Sequence, residues 1–147
     1  KWGDRITLIK KALSDTIGTA TLYTPGIEDE FKSHAISSLH NRDCFSHGIA
    51  EDEVECTTID TLFTQYKLKN IDYLKIDTEG AELMILRGSE QALTERKIEC
   101  IQLEYGATYT DGGFDVADVI EYLARFEYYE FFRTTEELLF AHKDDIP

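Results

Sequence analysis

Residues Tyr73 to Gly88 read YLKIDTEGAELMILRG, and the meaning of this stretch decides how the rest of the chain is read. The run Ile71 to Ile76 is nearly continuous in apolar character, as in a strand buried on both faces of a parallel sheet. It ends on Asp77-Thr78-Glu79-Gly80, and a helical pattern starts at once. From Ala81 to Leu93 the positions Ala81, Met84, Ile85, Gly88 and Ala92 recur at helical spacing. Two carboxylates and a glycine at a strand-to-helix junction mark the carboxyl edge of an α/β sheet. Open sheets of that class bind ligands in the crevice outside this edge.

Working toward the carboxyl terminus, Ile98 to Leu103 (IECIQL) reads as a second strand, ending in Glu104-Tyr105-Gly106. Asp115 is placed to cap a helix whose apolar face is Val116, Val119, Ile120 and Leu123. Tyr128 to Arg133 and Leu138 to His142 then read as two strands around a turn at Thr134 to Glu137. Strands alternating with helices predict an α/β fold with a mostly parallel sheet. The final hairpin predicts an antiparallel strand at its edge.

Toward the amino terminus, Arg5 to Leu13 (RITLIKKAL) reads as a strand ending in Ser14-Asp15. Gly18 to Tyr23 reads as another, broken by Pro25-Gly26. Residues 27–53 carry acidic clusters and three of the four histidines without a sustained period. A loop of that length inside a compact domain is expected to be a lid or an acceptor-binding loop. Val54 to Thr57 reads as a short strand, and Ile59 to Tyr66 as a helix with Leu62, Phe63 and Tyr66 on one face. The whole, 1–147, is read as a single domain.

Composition narrows the class of function. An apolar fraction of 42% supports a folded core, and no run approaches the length of a membrane span. A formal net charge of -14 repels phosphate backbones and anionic headgroups, so neither nucleic acid nor membrane is an expected partner. A small-molecule acceptor is expected instead. Cys44, Cys56 and Cys100 form no CxxC pair, which favours a reducing, cytoplasmic setting. Lys1 is not an initiator methionine, so the chain is expected to be processed or cut from something longer.

The candidate chemistry gathers at strand ends. Asp77 and Glu79 follow one strand, and Glu104 ends the next in the same orientation, so the strand ends present carboxylates to one crevice. Simple capping accounts for one such acid through the helix dipole, not for two strand ends in a row. These carboxylates are fit to hold a cofactor, bind a metal or take a proton from a hydroxyl. His34, His40, Cys44 and His47 have spacing loosely compatible with zinc, but no second half-site follows, and a metal has no further support. No GxGxxG, GxxxxGK[ST] or GxSxG motif is present.

These residues resemble a family. CTTIDTL (Cys56 to Leu62), YLKIDTEGAELMILRG and IQLEYG (Ile101 to Gly106) are similar to the carboxyl-terminal half of the FkbM-like methyltransferases. KKALSDTIGTATLY (Lys10 to Tyr23) and Ser37-Ser38-Leu39 fit the same family's upstream pattern. The resemblance implies a Rossmann-like class I methyltransferase sheet and S-adenosylmethionine as methyl donor. It also implies that the first two strands and the glycine-rich cofactor loop are missing, so the strand at Ile71 to Ile76 is left at an exposed edge. By the same resemblance the turn Ala12, Leu13, Ser14 and Asp15 lies near the adenine, and Asp77 near the methyl donor. Glu79 and Glu104 line the acceptor side.

Two other readings stay open. Asp77-Thr78-Glu79 also resembles the acidic triplet of metal-dependent nucleotide-sugar transferases. A chain without the glycine loop also fits a non-catalytic interaction module whose strand edge is covered by a partner.

Overall fold

The computed structural model describes residues 5–25, 37–40, 49–104 and 112–146. Among them the chain runs β1 (Ala12–Leu13), β2 (Gly18–Pro25), β3 (Ile49–Thr57), α1 (Ile59–Tyr66), β4 (Ile71–Ile76), α2 (Glu82–Arg87), α3 (Glu90–Thr94), β5 (Ile98–Glu104), α4 (Val116–Ala124), β6 (Tyr128–Arg133) and β7 (Glu137–His142). The strands form two sheets, ordered β1-β3-β2 and β4-β5-β7-β6. The fold is α/β, as expected, but both sheets are mixed.

The expectation of a mostly parallel sheet is therefore corrected. In the larger sheet β4 and β5 run parallel, whereas β7 lies antiparallel to both β5 and β6. The cause is local. The turn after β6 folds β7 back between β6 and β5, so the hairpin occupies two of the four places. In the smaller sheet β1 runs parallel to β3, and β2 pairs with β3 antiparallel along its whole length.

The strand expected over Arg5 to Leu13 shrinks to Ala12–Leu13. Residues 6–11 make no ladder, and Ile6 and Leu8 are 68% and 80% exposed. A β-pattern needs a neighbouring backbone to satisfy its polar groups, and β3 reaches alongside only at the last two residues. By contrast β3 is longer than Val54 to Thr57. Its first five residues, within the stretch read as a lid, pair with β2 although most of their side chains face solvent. Residues 26–36 and 41–48 lie outside the described residues.

The single helix read from Ala81 to Leu93 is two, broken at Gly88-Ser89. The Ser89 hydroxyl donates to the Leu86 carbonyl (2.7 Å), a bond that closes the first helix. Gly88 leaves no room for a side chain: a Cβ there would stand 2.1 Å from the carbonyl oxygen of Ser14. That close approach seats the β1 turn on α2. The Asp60 carboxylate accepts from the backbone amides of Gln91 and Ala92, both at 2.9 Å, and so ties α1 to α3.

Ile71 to Ile76 is not buried on both faces. β4 is an edge strand of its sheet, and Tyr73 is 52% exposed. Its inward positions Leu74 and Ile76 continue across the ladder through Ile101 and Leu103 to Phe140 and Leu138. Helix residues Ile59, Phe63, Leu83, Leu86, Leu93, Val119 and Leu123 close over that face and complete one core. Fully burying each such side chain contributes about 1.5–3 kcal/mol. Asp115 caps α4 as expected, in a capping box with Asp118. No helix among the described residues is long and apolar enough to cross a membrane.

Candidate active site

The turn from Asp77 to Gly80 leaves the end of β4 in a conformation that side chains rarely adopt. Glu79 sits at φ 55° and Gly80 at φ 108°. A non-glycine residue held in the left-handed region costs of order 1 kcal/mol, so something must hold it there. Glu82 does so. It is 1% exposed, at the start of α2. Its Oε1 accepts from the Thr78 amide (3.0 Å) and hydroxyl (3.1 Å), and its Oε2 accepts from the Gly80 amide (3.0 Å). A buried carboxylate with this many donors is satisfied without an ion pair.

A second tie comes from the other sheet. Ser38 pairs with Tyr23 of β2 through two backbone bonds, and its hydroxyl donates to the Glu79 carbonyl at 2.9 Å. Beside the Ser38 tether lies a cavity of about 360 Å³. Its apolar lining is Ala12, Leu13, Leu22, Leu39 and Ala81; its polar lining includes Lys11, Ser37, Ser38, Asp77, Thr78 and Glu79. Lys11 is paired with Glu55 at 2.9 Å. The volume falls in the range of about 300–1,000 Å³ typical of small-molecule pockets.

Asp77 reaches in a second direction. Lys75 lies 3.0 Å from its carboxylate, and the side chains of Asp77 and Glu104 share a hydrogen bond. Two carboxyl groups in that arrangement hold one proton between them. The hydrogen bond with Asp77, then burial and the negative charges of Asp77 and Glu79, push Glu104 up to about 7. At Asp77 burial acts to raise the pKa, but the bonds with Glu104 and Lys75 outweigh it and leave it below the ordinary aspartate value.

The sequence-predicted residues thus fall into three groups. Ala12, Leu13, Asp77 and Glu79 line one cavity. Glu104 stands off that cavity and joins it through Asp77. Ser14 and Asp15 do not line it: the Ser14 hydroxyl is turned to the Asp15 carboxylate (3.2 Å) and the Met84 sulfur (3.3 Å). Ser38 and Glu82 were not among the expected site residues. Their signal was present in Ser37-Ser38-Leu39 and in the second acid of the EGAE run. Of the histidine–cysteine group, His40 is described and His34, Cys44 and His47 lie outside the described residues. Among the described residues no group of three or more His, Cys, Asp and Glu side chains is placed to hold a metal ion.

No curated protein and no solved structure matched the chain. The family model described as the methyltransferase FkbM domain matches residues 2–131, which takes in β1 to β5, the Asp77–Gly80 turn and the Ser38 tether. By that match the chain belongs to the FkbM methyltransferase family.

Proposed function

We propose that this domain serves S-adenosylmethionine-dependent O-methylation of a small acceptor, with the cavity between β1 and the Asp77–Gly80 turn as the donor site. The observation that carries this reading is the cavity itself, which sets an apolar wall opposite carboxylates. Bound there, S-adenosylmethionine supplies an electrophilic methyl group on a sulfonium cation. Ala12, Leu13, Leu22 and Leu39 suit the flat face of a base, and Asp77 and Glu79 favour a cation nearby. The amino-acid end of the donor has no such match, because the sequence holds no glycine-rich phosphate-type or dinucleotide-type loop. The residues fit part of the donor, and affinity of this chain alone is expected to be weak.

The acceptor hydroxyl belongs on the Glu104 side of Asp77. Above the Glu104 midpoint both carboxyls are ionised, and Glu104 is then a base matched to neutral pH. Its task is to orient the hydroxyl and take its proton, and positioning supplies most of the rate in a displacement of this kind. The Lys75 ammonium beside Asp77 already occupies one cation position on that carboxylate. This disfavours the metal-dependent nucleotide-sugar reading.

The reading is tested by titrating the 15N-labelled chain with S-adenosylhomocysteine to millimolar concentration. Amide shifts are expected to cluster at Ala12–Leu13 and Thr78–Gly80. Shifts confined to another surface, or none, would overturn it.

A further inference from the structure

In so acidic a chain an arginine readily finds a carboxylate, and Arg96 and Arg133 are each held by acids. Among the described residues Arg87 and Arg125 form no ion pair, and both line one cavity of about 420 Å³ between α2 and α4. Its wall shares no residue with the cavity at the Asp77–Gly80 turn. Arg87 stands in the last turn of α2, and Arg125 follows the last residue of α4. A cation at the carboxyl end of a helix offsets the dipole of that helix. This accounts for each arginine singly, but not for two helices delivering theirs to one cavity.

The groove holds these groups in place. The Tyr122 hydroxyl donates to the Leu86 carbonyl at 3.4 Å and joins α4 to α2. The Arg125 guanidinium lies 5.1 Å from the centre of the Tyr122 ring and 5.5 Å from that of Phe126. A guanidinium resting on aromatic rings is preorganised, and its planar N–H fork stays available to a carboxylate or phosphate. Leu83 and Phe114 add apolar wall. The rim also carries two acids. Asp118 is engaged in the cap of α4, where its Oδ2 accepts from the Asp115 amide at 2.7 Å, and Glu121 follows one turn on. Those acids, on a chain at -14, repel a polyanion such as nucleic acid and leave the arginines to a single small anion.

We propose that this groove binds a small organic ligand through one oxyanion, a phosphoryl or carboxylate group held between Arg87 and Arg125. The apolar body of the ligand lies against Leu83 and Phe114. The site is separate from the donor cavity, so its assignment does not depend on methyl transfer.

The probes are phenyl phosphate, benzoate and neutral benzyl alcohol, each titrated at constant ionic strength into the 15N-labelled chain. Saturable shifts are expected at the Gly113 and Phe114 amides and at the Nε–H signals of Arg87 and Arg125. The better anion should bind at least about tenfold more tightly than benzyl alcohol. Tighter binding of phenyl phosphate assigns a phosphoryl group, and tighter binding of benzoate a carboxylate. Arg87→Gln and Arg125→Gln, both at exposed positions, should each weaken that anion about fivefold or more with unfolding midpoints retained. Glu121→Gln should tighten it by removing a like charge from the rim. Lys69→Gln, at an exposed lysine outside the groove, should leave it unchanged. Benzyl alcohol binding as tightly as the anions, shifts that lie elsewhere or are absent, or affinity unmoved by both arginine variants would overturn the proposal. So would weaker binding after Glu121→Gln, or a loss with Lys69→Gln equal to that of the arginine variants.

Discussion

The hydroxyl of Ser38, which is bridged to Tyr23 of β2, donates across 2.9 Å to the carbonyl of Glu79, in the turn that follows β4 of the other sheet. The same oxygen accepts from the His40 amide at 3.1 Å. One side chain in the cavity wall therefore holds the strained turn against β2. Ser38→Ala removes both bonds at a position 1% exposed. A loss of about 1–2 kcal/mol in urea unfolding is expected, together with weaker S-adenosylhomocysteine shifts at Thr78–Gly80.

Glu82 is a stronger case, because its buried carboxylate accepts from two backbone amides and a hydroxyl of the turn. Glu82→Ala should cost on the order of 3 kcal/mol, since it strands buried donors. Glu82→Gln keeps one acceptor oxygen and should cost less. Urea midpoints of the two variants, measured side by side, check the order. Equal stability of Glu82→Ala and the parent would contradict the role given to this carboxylate.

The pH dependence follows from the Asp77–Glu104 pair. Glu104 is raised from 4.5 to about 7, so the native state holds a proton that the unfolded chain releases. Its contribution is fully present below about pH 4.5 and is lost as pH rises through about 7. Asp77 is lowered, so its contribution is present above its ordinary value of 3.8 and is lost as pH falls below that. Between these limits the parent should gain stability on acidification relative to Glu104→Gln, which lacks the titrating group. Carboxyl carbon shifts should place the Glu104 midpoint near 7, and Asp77→Asn should return it toward the ordinary glutamate range.

Gly88→Ala tests the seat of the β1 turn. The glycine has φ -73°, which any residue adopts, so backbone freedom is not the issue. The added methyl would meet the Ser14 carbonyl at 2.1 Å, backbone against side chain. Overpacking of this kind costs typically about 1–3 kcal/mol. Thermal unfolding reports the loss, and shifts in the Ser14 and Asp15 amides should report where it arises.

The legible part of this fold was the part written in strand ends and caps. Asp77 and Glu104 could be paired from sequence because parallel neighbours bring their carboxyl ends together, and β4 and β5 do so. Asp115 could be read because a capping acid before an apolar helical face has a single good use. What escaped reading depended on partners distant in sequence. Residues 49–53 of β3 are strand through pairing with β2, not through their own apolar pattern. Glu82 reads as a surface acid on a helix until the donors of the preceding turn surround it. Ser14 lies in the expected adenine turn, yet its hydroxyl faces Met84, 70 residues away. Gly88 looks like one more position of a continuous helix until the Ser14 carbonyl is laid against it.

Lys75, one neighbour of the carboxyl pair, shares a sheet row with Gln102, and Glu137 stands beside Glu104 on the adjoining strand. A ligand bound against these strand ends removes water from around Lys75, Asp77 and Glu104, and their mutual attractions and repulsions strengthen as the local dielectric falls. Ligand occupancy and protonation of the pair are then linked equilibria. Whatever factor a bound ligand applies to the pair's proton affinity, the proton applies in return to the affinity for the ligand.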